Sequence, residues 1–263
     1  MGRTGDLRFR AEAALRRLTG STSVPVAGCR WSAHTANALK TVRGMRRANP
    51  IMERLLREIS ADDVFLDVGA ANGAYAIQAA CASPAPRRVY AIEPSAAPYL
   101  ALLENIELNH CGDRCVPMPI AAGAEEGFVE FKIDSLDHST ETSHVLSDNE
   151  AAHRPTGALW QPCSITTRVP CFSIDHLVDS EMIERPTMVK IDTEGYEGLV
   201  LQGMRRSARG VRWLAVEVHP DRLVGASSAD ALVERIAGLG FETVAADGRG
   251  RQQHLLFHAA AAP

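Results

Sequence analysis

Apolar runs alternate with helix-like segments along most of this chain, and this alternation restricts its fold more than any other feature. The runs VFLDV at 64–68 and TMVKID at 187–192 are largely apolar, as in strands that are covered on both faces. Strands that alternate with helices are typical of a mostly parallel sheet. We therefore expect a doubly wound α/β fold. Strands are predicted at 64–68, 88–93, 114–121, 128–133, 187–192, 211–218, 241–246 and 254–259, and helices at 73–82, 94–108 and 228–240.

The first 49 residues are interpreted as a helical extension, and residues 50–263 as the main α/β domain. Segments 6–18 and 34–47 have helical periodicity, with a loop or short strand between them. Pro50 suits the first turn of a helix that runs to Ile59.

A polar segment without periodicity interrupts the pattern at residues 134–164. A structureless stretch of this length is unusual inside a compact domain. It holds His138, His144, His153 and Trp160. We favour a lid over a substrate, with a packed insertion as the alternative.

Composition limits the class of protein. With 263 residues, 46% hydrophobic and 23% charged, the chain resembles a soluble globular protein of one or two domains. A net charge of −4 and a pI of about 6.1 favour neither nucleic acid nor a membrane as a partner. No apolar run is long enough to span a bilayer, and no secretory or myristoylation signal is evident. We expect a cytoplasmic protein, and homo-oligomerisation stays open. The arginines at 43, 46 and 47 are interpreted as a solvated face.

The six cysteines are scattered along the chain. Cys111 and Cys115 next to His110 hint at a metal site, but no second ligand pair has the spacing of a zinc site. Reduced thiols in a cytoplasm are the preferred interpretation.

Glycines follow the first strand of the α/β domain directly, in VFLDVGAANGAY at 64–75. Gly69 allows a sharp turn after Asp67, and Gly73 opens the next helix, whose N-terminus offers amide donors to a ligand. Glu93 ends the next strand, where a carboxylate can accept hydrogen bonds from a ribose diol. An ordinary turn is the structural alternative. NAD and S-adenosylmethionine both fit this pattern, but the loop reads GAANG and lacks the GxGxxG spacing of NAD-binding proteins.

Several motifs together resemble the FkbM family of class I S-adenosylmethionine-dependent methyltransferases. They are DVGAANGAYAIQAA, VYAIEPSAAPYLALLENIELN, PIAAGAEEGFVEF, FSIDHLV, TMVKIDTEGYEGLVLQGM and LAVEVHP, and they span about residues 50–245. The resemblance implies a seven-stranded Rossmann-like methyltransferase fold and S-adenosylmethionine as cofactor. It implies cofactor-binding roles for Asp67, Gly69, Ala70, Asn72, Gly73, Glu93 and Pro94, with Ile120 and Ala121 facing the adenine. Ala71 departs from the family, which commonly has Asn at this place.

Proton removal from an alcohol needs a base or a metal ion near the transferred methyl group. Asp192, Glu217 and His219 end the fourth and fifth strands and are the candidate catalytic residues. Asp192 is the foremost of them, because it follows a buried strand and has no evident structural role. Together the three residues would also form an oxygen and imidazole site for Mg²⁺ or Mn²⁺. The alternatives are structural: Glu217 as an acceptor within its strand, His219 as a strand cap, and Glu194 at a helix N-terminus.

The acceptor is predicted only as a class. FkbM-like enzymes are associated with O-methylation of sugars, glycans and secondary metabolites, so the resemblance implies a hydroxyl acceptor of that kind. His138, His144, Trp160 and Glu194 are candidate residues for binding it. A non-catalytic binding module with a methyltransferase fold and an NAD-linked enzyme are the alternatives.

Overall fold

The computed structural model describes residues 10–15, 18, 23–45, 49–133, 144–145, 165–249 and 252–260. The strands are β1 Ser23–Val26, β2 Cys29–Ser32, β3 Val64–Val68, β4 Arg88–Ile92, β5 Cys115–Met118, β6 Ala121–Ala122, β7 Gly127–Ile133, β8 His144–Val145, β9 Ile165–Phe172, β10 Met188–Ile191, β11 Trp213–Val218, β12 Phe241–Arg249 and β13 Gln252–Ala259. The helices are α1 Ala36–Gly44, α2 Pro50–Arg57, α3 Ala74–Ala80, α4 Ala96–Leu108, α5 Ile174–Asp179, α6 Glu197–Gln202 and α7 Ala229–Gly238, with a 3₁₀ helix at Ser207–Gly210.

A seven-stranded sheet in the order β12-β13-β11-β10-β3-β4-β5 forms the centre of the molecule. The strands from β11 to β5 are parallel, β13 pairs antiparallel with β11, and β12 pairs antiparallel with β13. Apolar clusters cover both faces, so residues such as Phe65 and Leu66 are fully buried. The predicted fold class, a mostly parallel doubly wound sheet, is confirmed.

The parallel register decides which strand ends meet. Val68 at the end of β3 pairs with Ile191 of β10 and with Ile92 of β4. The residues that follow these three strands therefore emerge side by side at one edge of the sheet. This edge brings the loop after β3, Glu93 and Asp192 together.

A second sheet, in the order β6-β9-β7-β8, was only partly predicted from the sequence. The run at 128–133 corresponds to β7, but β9 was missed. Its first half carries Thr166, Thr167 and Arg168, so the apolar run is confined to residues 169–172 and includes Pro170. β8 falls within the polar 134–164 segment. The rest of that segment, with His138, His153 and Trp160, lies outside the described residues, and the lid stays a prediction.

The N-terminal extension packs against the α/β domain. Residues 10–15 are helical, and β1 and β2 form a hairpin whose turn places Ala27 and Gly28 at positive φ. From the sequence, this stretch is predicted only as a loop or short strand. Trp31 is fully buried, and the Ser32 N–H donates to Asn105 Oδ1 on α4 (2.7 Å). In the described part of the chain, no helix combines the length and apolar character needed to cross a bilayer.

The amino ends of β3, β10 and β11 are joined by a buried polar network. Asp63 Oδ1 accepts from Thr187 Oγ1 (2.6 Å), and both carboxylate oxygens accept from Arg212 Nη2. Asp63 Oδ2 also accepts from the Ser60 N–H (2.7 Å). Burial alone would raise the pKa of Asp63, but these hydrogen bonds outweigh it and lower the pKa. Because each of Asp63, Thr187 and Arg212 directly precedes a strand, the network sets the relative position of three strand starts.

Replacing Asp63 by Asn is expected to lower the free energy of unfolding by about 1.5–3 kcal/mol, the range for hydrogen bonds to a charged group. The lowered pKa means that this contribution exists above the unfolded pKa of about 3.9 and is lost as pH falls through the folded value. Urea unfolding followed by tryptophan fluorescence at several pH values measures it. Asp62→Asn, at the exposed neighbouring position, is the control. Equal stabilities of Asp63→Asn and wild type at pH 7 would contradict this account.

Candidate active site

A cavity of about 460 Å³ lies at the carboxyl ends of the central strands. Drug-sized ligands occupy cavities of this size. Of the residues predicted from the sequence, those that line it are Gly69, Ala70, Asn72, Glu93, Pro94, Ala121, Asp192, Glu194 and Glu217. Asp67, Gly73 and His219 do not line the cavity. Ile120, expected beside an adenine, instead packs in the apolar cluster on one face of the sheet.

The loop after β3 takes a conformation that needs its glycines. Gly69 has φ +77°, and a Cβ there would lie 1.8 Å from the carbonyl oxygen of Asp192. Gly73 has φ +87°, and a Cβ would lie 2.6 Å from Leu102 on α4. Ala71 also adopts a positive φ of 48°. The loop can therefore pass close to β10 and open α3 towards the cavity.

Glu93 holds this loop through its backbone. Its Oε2 accepts from the Ala71 N–H (2.8 Å), and its Oε1 accepts from the Ser95 N–H (2.7 Å). Burial raises the pKa of Glu93 to about 7 despite these two bonds. Each carboxylate oxygen keeps a second lone pair that can accept from a ligand.

Two polar atoms at the cavity wall lack a protein partner. Among the described residues, Asn72 Oδ1 and Ser95 Oγ are buried without a hydrogen bond. Both residues line the cavity next to Glu93. Buried polar atoms in proteins are nearly always satisfied, so an unsatisfied pair at a cavity indicates a place for a polar ligand.

Lys190 is a central residue of the site that the sequence analysis did not single out. It is 4% exposed, and its Nζ lies 3.1 Å from Asp67 Oδ1 and 3.5 Å from Asp192 Oδ2, and donates to the Gly69 carbonyl oxygen at 2.7 Å. Burial opposes the charge of Lys190, but the neighbouring carboxylates outweigh it and raise its pKa, so the residue stays protonated. The sequence does contain a signal for this role, because a lysine within a buried apolar strand requires a charged partner.

Glu197 is a second buried charged residue that supports the site. It is fully buried, and its Oε1 accepts from the Gly195 N–H (2.9 Å) and lies 3.1 Å from His219 Nδ1. Burial alone would lower the pKa of His219, but Glu197 and the charge of Glu194 outweigh it and raise the pKa to about 9. His219 is therefore a cation at neutral pH, and its second nitrogen points away from Glu197.

Three carboxylates surround that second nitrogen. His219 Nε2 lies 3.7 Å from Glu217, 3.8 Å from Glu194 and 4.0 Å from Asp192. Burial raises the pKa of Asp192 and Glu194. For Glu217, burial acts in the same direction, but the hydrogen bond and charge of His254 outweigh it and lower the pKa. The predicted catalytic residues thus lie together and differ in proton affinity.

The three residues that could hold a metal ion differ from the predicted set in one ligand. Ligand atoms of Asp192, Glu194 and His219 lie within 4.8 Å of one another. Glu217, the predicted third ligand, is instead bonded to His254 through Oε2 (3.2 Å). Glu194 also pairs with Arg222, which competes with a cation for that carboxylate.

Residues outside the recognised motifs complete the cavity wall. Asn49, Gln252 and His254 all line it. His254 Nδ1 lies 3.1 Å from Asn49 Nδ2, and Gln252 Nε2 lies 3.1 Å from His219 Nε2. His254 is the register partner of Glu217 in the antiparallel pair of β11 and β13. The sequence alone contained no signal for this pairing.

Comparisons with known proteins agree with the fold and the motifs. A family model described as the methyltransferase FkbM domain matches residues 67–243. Hexuronic acid methyltransferase AglP from Haloferax volcanii is 25% identical over 190 residues, which are 72% of this chain and 70% of that protein.

A solved structure of a methyltransferase has the same architecture. Methyltransferase FkbM from Methylobacillus flagellatus KT superposes with a TM-score of 0.53 at 14% identity, over 95% of this chain and 60% of that one. This chain therefore spans less than two thirds of the length of that protein. TrmK from M. capricolum, solved with S-adenosylhomocysteine, is 9% identical with a TM-score of 0.46, over 80% of this chain and 68% of that one.

The family match extends over two thirds of the chain and contains the glycine loop, Glu93, Lys190 and the carboxylate cluster. The resemblance inferred from the motifs is thereby confirmed. This chain belongs to the FkbM family of methyltransferases.

Proposed function

We propose that this chain is an S-adenosylmethionine-dependent O-methyltransferase that acts on a hydroxyl of a sugar or glycan. The observation that carries the proposal is the shared cavity, which is lined both by the glycine loop with Glu93 and by the carboxylates of Asp192, Glu194 and Glu217. A methyl donor and a base are the two requirements of O-methylation, and the cavity offers a place for each.

The residues at the loop suit the nucleoside part of the cofactor. Glu93 offers free lone pairs to the two ribose hydroxyls, while Asn72 Oδ1 and Ser95 Oγ offer the unsatisfied polar atoms noted above. When bound, S-adenosylmethionine supplies a methyl group on a positively charged sulfonium. Asp192 and Glu217, which line the same cavity, would favour this charge.

Asp192 is assigned as the general base that accepts the proton of the acceptor hydroxyl. The raised pKa of His219, due to Glu197 and Glu194, favours its protonated form at neutral pH and makes Asp192 the better candidate for the base. The Asp192 carboxylate faces the cavity, and its raised pKa makes it a stronger base than an ordinary aspartate. Lys190 and His219 would then hold the carboxylate in place, and neither needs to change its own protonation state.

Support for a sugar acceptor comes from the relative in Haloferax volcanii, which is named as a methyltransferase of hexuronic acid. The cavity wall formed by Asn49, Gln252 and His254 is polar, as a hydroxyl-rich ligand requires. His144 lies in β8 at the edge of the second sheet, and the predicted acceptor roles of His138 and Trp160 fall outside the described residues.

Cofactor binding is expected to depend on the ionisation of Glu93. Hydroxyl groups donate to a carboxylate, so affinity should be constant well above pH 7 and fall as pH drops through the raised pKa of about 7. Glu93→Gln should bind at least about tenfold more weakly at pH 8 and show no such pH dependence. Isothermal calorimetry measures the affinity as a function of pH. Methylthioadenosine serves as the ligand because it lacks the amino group of the cofactor, which would itself titrate.

Glu107→Gln, at an exposed position of α4, is the control and should behave as wild type. The same calorimeter should show binding of S-adenosylmethionine and none of NAD. Unchanged affinity in Glu93→Gln, or preferential binding of NAD, would exclude the proposed cofactor site.

Asp192→Asn is expected to keep cofactor affinity and lose about 10²- to 10⁴-fold in turnover on a hexuronic acid acceptor, as for loss of a general base. Glu194→Gln distinguishes proton removal by Asp192 alone from proton removal that requires a divalent metal ion. If Asp192 acts as a base without metal, Glu194→Gln retains most activity and a chelator has no effect. If a divalent ion is required, a chelator abolishes wild-type activity, Mg²⁺ or Mn²⁺ restores it, and both variants lose the response. Normal turnover by Asp192→Asn would make Asp192 structural and direct attention to Glu217.

A further inference from the structure

Three chain segments that carry cysteines meet on the side of the molecule behind the cofactor loop. β2 is bonded to the end of α4 by a reciprocal pair, in which the Arg30 N–H donates to Asn109 Oδ1 (2.8 Å) and Asn109 Nδ2 donates to the Arg30 carbonyl (2.7 Å). Arg114 Nη1 donates to the Ala80 carbonyl at the end of α3 (3.2 Å). Each of Cys29, Cys81 and Cys111 lies within three residues of one of these bonded residues, so the three segments that carry them are neighbours.

The three thiols differ in access to solvent. Cys29 and Cys111 are each 3% exposed and belong to one apolar cluster, whereas Cys81 is exposed at the C-terminal end of α3. The Cys81 thiol lies near both buried thiols, and its proximity contributes to their raised pKa. Burial raises the pKa of Cys29 and of Cys111 to about 12, so neither buried thiol is ionised in the resting protein.

We propose that Cys81, Cys29 and Cys111 form an oxidisable thiol site, in which the exposed Cys81 forms an internal disulfide with one of its two buried neighbours. An accessible thiol next to a resolving thiol is the arrangement found in redox-sensitive proteins. This site lies outside the methyl-transfer cavity, and its residues are not used in the proposed reaction.

The chemistry requires a peroxide as oxidant. The Cys81 sulfur attacks one peroxide oxygen, the O–O bond breaks, and Cys81 becomes a sulfenic acid while hydrogen peroxide is reduced to water. The thiol of Cys29 or Cys111 then attacks the Cys81 sulfur, its proton passes to the leaving hydroxyl, and a second water leaves. In total, two thiols are oxidised to one disulfide and one hydrogen peroxide is reduced to two waters.

A disulfide fits this cluster better than a metal ion does. Three-ligand groups with mutual distances below 4.8 Å occur among the described residues only at Asp192, Glu194 and His219, so the three thiols do not surround a common point. Cys81 instead has two separate thiol neighbours, Cys29 and Cys111, and a disulfide needs only one of them.

The bond would link segments that also support the cofactor loop. Asn105 on α4 accepts from the Ser32 N–H (2.7 Å) and donates through Nδ2 to the Asn72 carbonyl (2.9 Å). A Cys81–Cys29 disulfide would therefore tie the N-terminal hairpin to α3, the helix that opens at the loop. A Cys81–Cys111 disulfide would tie α3 to the turn after α4.

The test uses the full-length reduced chain and a small molar excess of hydrogen peroxide. After quenching, alkylation under denaturing conditions and non-reducing peptide mapping identify the linked cysteines. We expect the loss of two free thiols, a mass lower by about 2 Da, and a peptide in which Cys81 is joined to Cys29 or Cys111. Cys81→Ser should form no internal disulfide, and because Cys81 is exposed this variant should fold normally.

Cys171→Ala is the matched control, since Cys171 is buried in a separate cluster and should not affect the reaction. Wild-type protein in which Cys81 stays a thiol or proceeds to sulfinic acid without a cross-link overturns the proposal. A disulfide that persists in Cys81→Ser, or one that joins Cys81 to Cys163, overturns it equally. These outcomes do not depend on methyltransferase activity.

Discussion

The buried ion pair between Lys190 and Asp67 is the contact on which the rest of the site depends. It joins β10 to β3 at directly paired positions, and the same ammonium group donates to the Gly69 carbonyl at the start of the cofactor loop. Removal of one partner from a buried pair leaves an uncompensated charge and costs about 3–5 kcal/mol. Lys190 also lies 3.5 Å from Asp192, so one cation positions both the cofactor loop and the proposed base.

The two ends of the central strands serve different purposes. At the amino ends, Asp63 accepts hydrogen bonds from Ser60, Thr187 and Arg212, and this network stabilises the fold. At the carboxyl ends, carboxylates accumulate around one histidine and leave polar atoms without partners. Burial, together with neighbouring like charges, raises the pKa of Asp192 and Glu194, whereas the hydrogen bonds to Asp63 at the amino ends lower its pKa.

Much of the fold was predictable because apolar runs and glycines act locally. The strand at 64–68, the positive φ of Gly69 and Gly73, and the order of strands and helices all follow from short stretches of sequence. β9 was missed because its outward positions are polar, and the antiparallel addition of β13 beside β11 depends on long-range pairing.

The sequence by itself determined the family, the sheet class and the strand-end residues that face the cavity, because each rests on local pattern and motif order. Only the tertiary structure decided that Lys190 neutralises Asp67, that Glu197 stabilises the protonated form of His219, and that His254 binds Glu217. These pairs join residues from different strands and loops, and their energies depend on burial and on distances of about 3 Å. Neither the burial of a residue nor the distance between two side chains can be read from the sequence before the chain has folded.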